Sequence, residues 1–265
     1  MVFSSQINFK DYIQTSLIEV GVLDYDVVFL YVDLRAFSVN ALLFENRNRF
    51  MEAFIEPFIQ RNKTVVIPTF SFTTEGEFHV ESTPTRLGAM NKWFLGLDGV
   101  VRSNHPMFSF AAIGPKANTL LETGKSAFGA KSAYDLYQNE RAAFLHIGIP
   151  MPLGNSFIHY VEHLCGASYR YNKVYKTNVF KYREYIGTDY SAMVRRLDNS
   201  LDNFKASFQK ISNRLFQHKL ICEVGDAVDL LNFSCYPMGD SIDLLVDWFY
   251  QDPCIFIKTD YKEYE

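Results

Sequence analysis

The chain has 265 residues, with 26 Lys and Arg against 30 Asp and Glu, a formal net charge of −4. Hydrophobic residues make up 48% and charged residues 21%, which excludes a disordered chain, a collagen-like repeat and a coiled coil. The near-neutral balance argues against a generally basic nucleic-acid face. No apolar run approaches the roughly 18 residues needed to cross a bilayer.

The four cysteines, Cys165, Cys222, Cys235 and Cys254, form no C-x-x-C pair. Met1 to Lys10 lacks a basic start followed by an apolar run, so no signal peptide is expected. These features predict a cytoplasmic protein with reduced thiols and neither nucleic acid nor membrane as partner. The 24 Phe and 16 Tyr suit a homodimer surface and a thick core equally.

In chain order, residues 9–23 carry apolar residues at helical spacing with Gly21 as a stop. Asp26 to Leu34 reads as a buried strand, 45–61 as an amphipathic helix, and Thr64 to Phe72 as a second strand ended by Pro68. This alternation predicts an α/β fold with parallel strands at its core. Residues 73–110 are loop-rich, which points to a functional segment. Phe108–Gly114 and Ala142–Pro150 read as strands. Residues 155–165 read as a helix entered from Gly154–Asn155, with Asn155 or Ser156 as N-cap. Residues 190–220 read as one or two amphipathic helices, ICEVGDAVDLLNFS as a strand or buried turn, and SIDLLVDWFY as a terminal helix. With no repeat or linker, residues 1–265 are expected to form a single domain.

The densest chemical signal is His159-Tyr160-Val161-Glu162-His163. On a helix, His159, Glu162 and His163 would share one face. Three readings stay open: the H-x-x-E-H zinc pattern of inverted peptidases, a general base supported by a carboxylate, and a polar surface face. Zinc needs a further ligand; the region downstream to residue 200 offers Glu184, Asp189 and Asp198, with no second His–carboxylate cluster. Arg102-Ser103-Asn104-His105-Pro106 offers phosphate-binding groups, or an ion pair and a turn. Thr83-Pro84-Thr85-Arg86-Leu87-Gly88 reads as a turn opening a helix, able to hold an anion or simply to cap. There is no P-loop, no G-x-G-x-x-G and no G-x-S-x-G elbow.

Taken together, VVFLYVDL, TVVIPTFSF, TPTRLG, GVVRSNHPMFSFAAIG, SAYDLY, FLHIGIP, NSFIHYVEH and ICEVGDAVDLL resemble the aminoglycoside 3-N-acetyltransferase family. The matching segments run through most of residues 9–250. The resemblance implies an α/β/α sandwich around a central, largely parallel or mixed sheet. It implies an N-acyltransferase that uses acetyl-CoA or another acyl-CoA as cosubstrate, needs no metal, and acts on an amino sugar or nucleotide-linked amino sugar. The His and Glu of the family's N-T-x-x-H-x-x-E motif fall on His159 and Glu162, and its Thr on Ser156. A sugar amine must lose a proton to attack a thioester, and an imidazole, with an ordinary pKa of about 6.5, can take it. The resemblance places CoA against Asp33, Leu34, Arg35, Ser71, Thr83, Thr85, Arg102 and Ser103, and the acceptor near Tyr31, Asp33 and His163.

Two positions depart from the family pattern. Antibiotic-acetylating members usually read H-S-S-L where this chain has Tyr31-Val32-Asp33-Leu34, and Ala133 stands where Pro is common. The first change, with the modest net charge, favours an amino sugar of cell-surface polysaccharide or nucleotide-sugar metabolism over a polycationic antibiotic. A protein of this fold that has lost its chemistry and only binds CoA or sugar, and a zinc hydrolase on His159, Glu162 and His163, are the alternatives.

Overall fold

The computed structural model describes residues 2–149, 155–196, 208–225 and 232–257. Gly154, Asp198 and parts of the 190–220 and ICEVGDAVDLLNFS segments lie outside them. The first helix, α1 (Gln6–Glu19), starts where the Ser5 side chain accepts from Asn8 N–H and ends just before Gly21, which adopts φ +71°. Phe9, Ile13 and Leu17 recur at helical spacing and are buried.

Next come β1 (Val27–Val32), α2 (Arg47–Glu52), α3 (Glu56–Ile59) and β2 (Thr64–Pro68). The helix expected over 45–61 is therefore two short ones, broken where Pro57 takes the first turn of α3. The loop-rich middle holds β3 (Glu75–His79), α4 (Ala89–Leu95), β4 (Val101–Arg102) and β5 (Phe110–Ile113). Then follow α5 (Ala133–Tyr137), β6 (Ala142–Ile147), α6 (Phe157–Leu164), β7 (Arg170–Lys181), β8 (Glu184–Gly187) and β9 (Tyr190–Arg195). The chain continues through α7 (Phe208–Gln217), β10 (Cys222–Val224), β11 (Phe233–Pro237) and α8 (Gly239–Gln251).

The helical expectation over 190–220 is corrected at its start. Residues 190–195 are β9, paired antiparallel with β7, and Tyr190, Ala192 and Met193 are buried there.

The main sheet runs β10-β11-β6-β1-β2-β5-β4. Its centre is parallel: β1 pairs with β2 and with β6, registering Val27 with Thr64 and Tyr31 with His146. Its flanks are antiparallel, making the sheet mixed. Alternate β1 residues enter opposite cores. Val28 and Leu30 pack with residues of α1 to α4, whereas Val27, Phe29 and Tyr31 pack with residues of α5 to α8. This is an α/β/α sandwich. In such folds ligands gather at the carboxyl ends of the parallel strands, where β1, β2 and β6 all finish on one side.

Candidate functional site

At those ends lies a cleft of about 440 Å³. It is lined by Tyr31, Asp33, Leu34 and Arg35 at the end of β1, Pro68 and Phe70 at the end of β2, Leu87 to Asn91 at the start of α4, and Ile149 after β6. Asp33 Oδ1 accepts from the Arg35 amide N–H at 2.9 Å, and its carboxylate also forms an ion pair with the exposed Arg35 guanidinium. That guanidinium holds the Asp33 carboxyl below the usual carboxylate range.

The remaining expected CoA residues do not line this cleft: Ser71, Thr85, Arg102 and Ser103 are buried and Thr83 is half-buried. Arg102 is 5% exposed. Its guanidinium donates to the carbonyls of Val80 (3.1 Å), Thr83 (2.6 Å) and Thr69 (2.8 Å) and to Ser109 Oγ (3.2 Å). Burial lowers its pKa to about 10, with Glu81 acting in the opposite direction. Ser103 Oγ accepts from Phe110 N–H at 2.9 Å, and Ser71 Oγ donates to the Pro106 carbonyl. Thr83 Oγ1 accepts from His79 N–H and Thr85 Oγ1 donates to the Phe70 carbonyl. Gly88, not a threonine, stands at the N-cap of α4. These polar groups knit three loops to each other. His105 does the same: Nδ1 accepts from Met107 and Phe108 N–H, Nε2 contacts the Ser191 carbonyl, and burial lowers its pKa to about 4.

The third group sits on α6. The Asn155 side chain accepts from Phe157 N–H at 2.9 Å and so opens the helix. One turn on, His159 Nδ1 lies 2.7 Å from Glu162 Oε2. Glu162 is fully buried, accepts from the Tyr169 hydroxyl at 3.0 Å through Oε1, and forms an ion pair with Arg170 through Oε2. Burial pushes the Glu162 carboxyl up, but His159 and Arg170 outweigh it and the net direction is down.

His163 does not join this pair. Its Nε2 abuts Gly129, so close that a Cβ there would come within 2.6 Å. With His159 and Glu162 facing each other and His163 turned aside, the three do not converge as metal ligands. Among the described residues no group of three or more His, Cys, Asp or Glu side chains could hold a metal. Glu184 is exposed on β8 and Asp189 occupies a turn with φ +64°.

Two bridges join the cleft to α6. Phe70 meets Phe108 at 5.1 Å between centroids, Phe108 meets Phe128 at 4.9 Å, and Phe128 meets the His159 ring edge-on at 5.4 Å. The Tyr31 hydroxyl lies 3.1 Å from that of Tyr134, which lies 2.7 Å from Ser156 Oγ. Sequence reasoning passed over Tyr134, Phe128, Tyr169 and Arg170. Of these only Arg170 had a signal: a carboxylate buried on a helix requires a nearby cation.

A paired imidazole and buried carboxylate, linked by these ring and hydroxyl contacts to a cleft at the strand ends, form an arrangement suited to proton transfer. The sequence pattern of aminoglycoside 3-N-acetyltransferase matches residues 47–249, and the chain belongs to that family, whose members transfer an acetyl group to an amine. Similar folds occur in aminoglycoside acetyltransferase AAC(3)-IVa (TM-score 0.70, 19% identity, covering 97% of this chain and 92% of that one). They also occur in AAC-VIa bound to sisomicin (0.71, 18%, 91% and 97%). A third example is YokD from Bacillus subtilis (0.68, 18%, 92% and 99%). No curated protein sequence matches.

Proposed function

We propose that the protein transfers an acetyl or other short acyl group from a CoA thioester to the amine of an amino sugar, by direct attack in a ternary complex. The observation that carries this reading is the 2.7 Å contact between His159 Nδ1 and the buried Glu162 in a chain of an acetyltransferase family. With Nδ1–H donated to Glu162, His159 Nε2 carries the lone pair and takes the ammonium proton. The amine nitrogen then bonds to the thioester carbonyl carbon and gives up its second proton, the C–S bond breaks, and the leaving thiolate takes a proton from the imidazolium to give the CoA thiol. The acyl-CoA lies along Asp33, Leu34 and Arg35, where the exposed Arg35 guanidinium suits a phosphate. Tyr31 and the Phe70 ring border the acyl end, and the acceptor approaches from the His159 and His163 side.

The acceptor we favour is an amino sugar, free or nucleotide-linked, such as those of cell-surface polysaccharide. Solved relatives bind sisomicin, a gentamicin and apramycin, which keeps an aminoglycoside as the second reading. A polycation calls for uncompensated carboxylates, and the cleft's Asp33 is already paired with Arg35.

The test is release of CoA thiol over a panel of amino sugars, nucleotide-linked amino sugars and aminoglycosides. CoA binding without turnover of any amine would overturn the reading. His159→Ala should lose about 10²–10⁴-fold in turnover while still binding CoA; near-normal turnover would remove His159 from the role of base.

A further inference from the structure

The start of α6 is tied to the sheet in an unusual way. Ser156 occupies the N-cap position, yet its hydroxyl makes no capping bond. Asn155 caps instead, and Ser156 Oγ meets the Tyr134 hydroxyl at 2.7 Å. Tyr134 in turn meets the Tyr31 hydroxyl at 3.1 Å. Asn155 uses its amide nitrogen to donate to the Tyr236 hydroxyl. Tyr31 belongs to β1 and Tyr236 to β11. Between them, on β6, stands the His146 ring, parallel to both at 5.0 and 6.0 Å. Both phenols therefore rise from one ring stack and end on consecutive residues at the start of the helix that carries His159.

We infer that Tyr134, acting through Ser156, is a positioning residue that fixes the first turn of α6, and with it His159, relative to the cleft wall at Tyr31. Tyr134 is fully buried and its ring packs against Phe29, Phe110 and Phe157, so its hydroxyl has a rigid mount. Helix α6 is eight residues long, too short to hold its own direction without tertiary ties. A displacement of about 1 Å at a reacting group can reduce a rate about 10²-fold. The inference rests on the acyltransferase reading for its kinetic consequence, though not for its structural one.

Three variants test it: Tyr134→Phe, Ser156→Ala and the pair combined. Amide hydrogen exchange is read over residues 157–164 and, as a reference, over β1. Each variant should speed exchange in α6 by about 10-fold and leave β1 unchanged, as a local opening would; unchanged α6 exchange overturns the inference. With an acceptor in hand, Tyr134→Phe and Ser156→Ala should each lower kcat by about 10-fold or more, with both KM values within about threefold. The combined variant should be little worse than either single, because both remove one link. Ser156→Thr, which keeps the hydroxyl, should retain parental kcat. Parental kcat in Tyr134→Phe, or two fully additive losses, would overturn the role. If the parent turns over no amine, the acyltransferase reading falls while the exchange data still decide the positioning of α6.

Discussion

The Glu162 carboxylate meets His159 Nδ1 at 2.7 Å while itself having no contact with solvent. One oxygen of this carboxylate faces both the imidazole and the Arg170 guanidinium, and the other takes the Tyr169 hydroxyl. A buried carboxylate so supplied stays ionised, orients the ring and stabilises the imidazolium formed when His159 takes a proton. Arg170 has a second effect. It offsets part of the Glu162 charge, so the carboxylate is not left as a lone buried anion whenever His159 is neutral.

Glu162→Gln keeps the shape but loses the charge. The amide can present its NH₂ to Nδ1 and so favour the tautomer with the proton on Nε2, the wrong nitrogen for a base. We expect kcat to fall by about 100-fold or more, with acyl-CoA affinity within about threefold, measured by thiol release and by calorimetric titration. Unchanged kcat would show that Glu162 supports the fold and not the imidazole.

The same carboxylate makes stability depend on pH. Its pKa is lower folded than unfolded, so its contribution is complete above the ordinary carboxyl value of about 4.3 and disappears as pH falls through the lower, folded value. Chemical denaturation between about pH 7 and pH 3 should show the parent losing stability faster than Glu162→Gln at the acid end. At pH 7 the variant should be less stable by about 3 kcal/mol, since it leaves Arg170 buried without its anion. Parallel curves for the two proteins would contradict this.

Arg102 is expected to affect folding more than binding. Three of its contacts are main-chain carbonyls from two different loops, and its ring neighbour is Phe78 at 4.9 Å. Arg102→Met should deprive the Val80 and Thr83 carbonyls of their donor, while Thr69 keeps the Ser109 hydroxyl, and lower stability by about 3 kcal/mol. Protein that still folds should bind CoA with affinity within about threefold of the parent. A tenfold loss of CoA affinity at unchanged stability would return Arg102 to the phosphate-binding role.

The contrast between Arg102 and Arg35 shows what the sequence could reveal. The parallel core was legible because β1, β2 and β6 are continuous apolar runs, as strands buried on both faces must be. The His159–Glu162 pair was legible because helical spacing alone brings such side chains together. The direction of a long side chain is set by tertiary packing, so nothing local distinguished an arginine bonded to carbonyls from one open to a cleft. His163 shows the same limit: helical phase allows it near His159, and the structure sets its ring against Gly129. The strand at 190–195 was hidden because its partner β7 is a polar run, exposed at many positions. The aromatic surplus has two sites in the interior. One cluster gathers Phe9, Phe37, Phe50 and Phe54 beneath α1, and another gathers Phe29, Tyr134, Phe144 and Phe157 beneath α6.

His146 should prove replaceable, to the protein's gain. Its ring is fully buried and, among the described residues, neither nitrogen has a hydrogen-bond partner. Burial lowers its pKa to about 3, so near neutral pH it is a flat uncharged spacer between Tyr31 and Tyr236. An unpaired buried polar group costs about 1–3 kcal/mol. His146→Phe keeps a planar ring in the stack and removes both unpaired nitrogens, at the expense of fitting one larger ring. We expect a gain of about 1 kcal/mol, seen as a Tm higher by about 2–4 °C, with kcat within about twofold. His146→Ala, which empties the space between the two tyrosines, should instead lower Tm and, by letting Tyr31 and Tyr236 shift, lower kcat as well. A lower Tm in His146→Phe would contradict this, either because the larger ring does not fit the stack or because an ordered water partners the imidazole nitrogens.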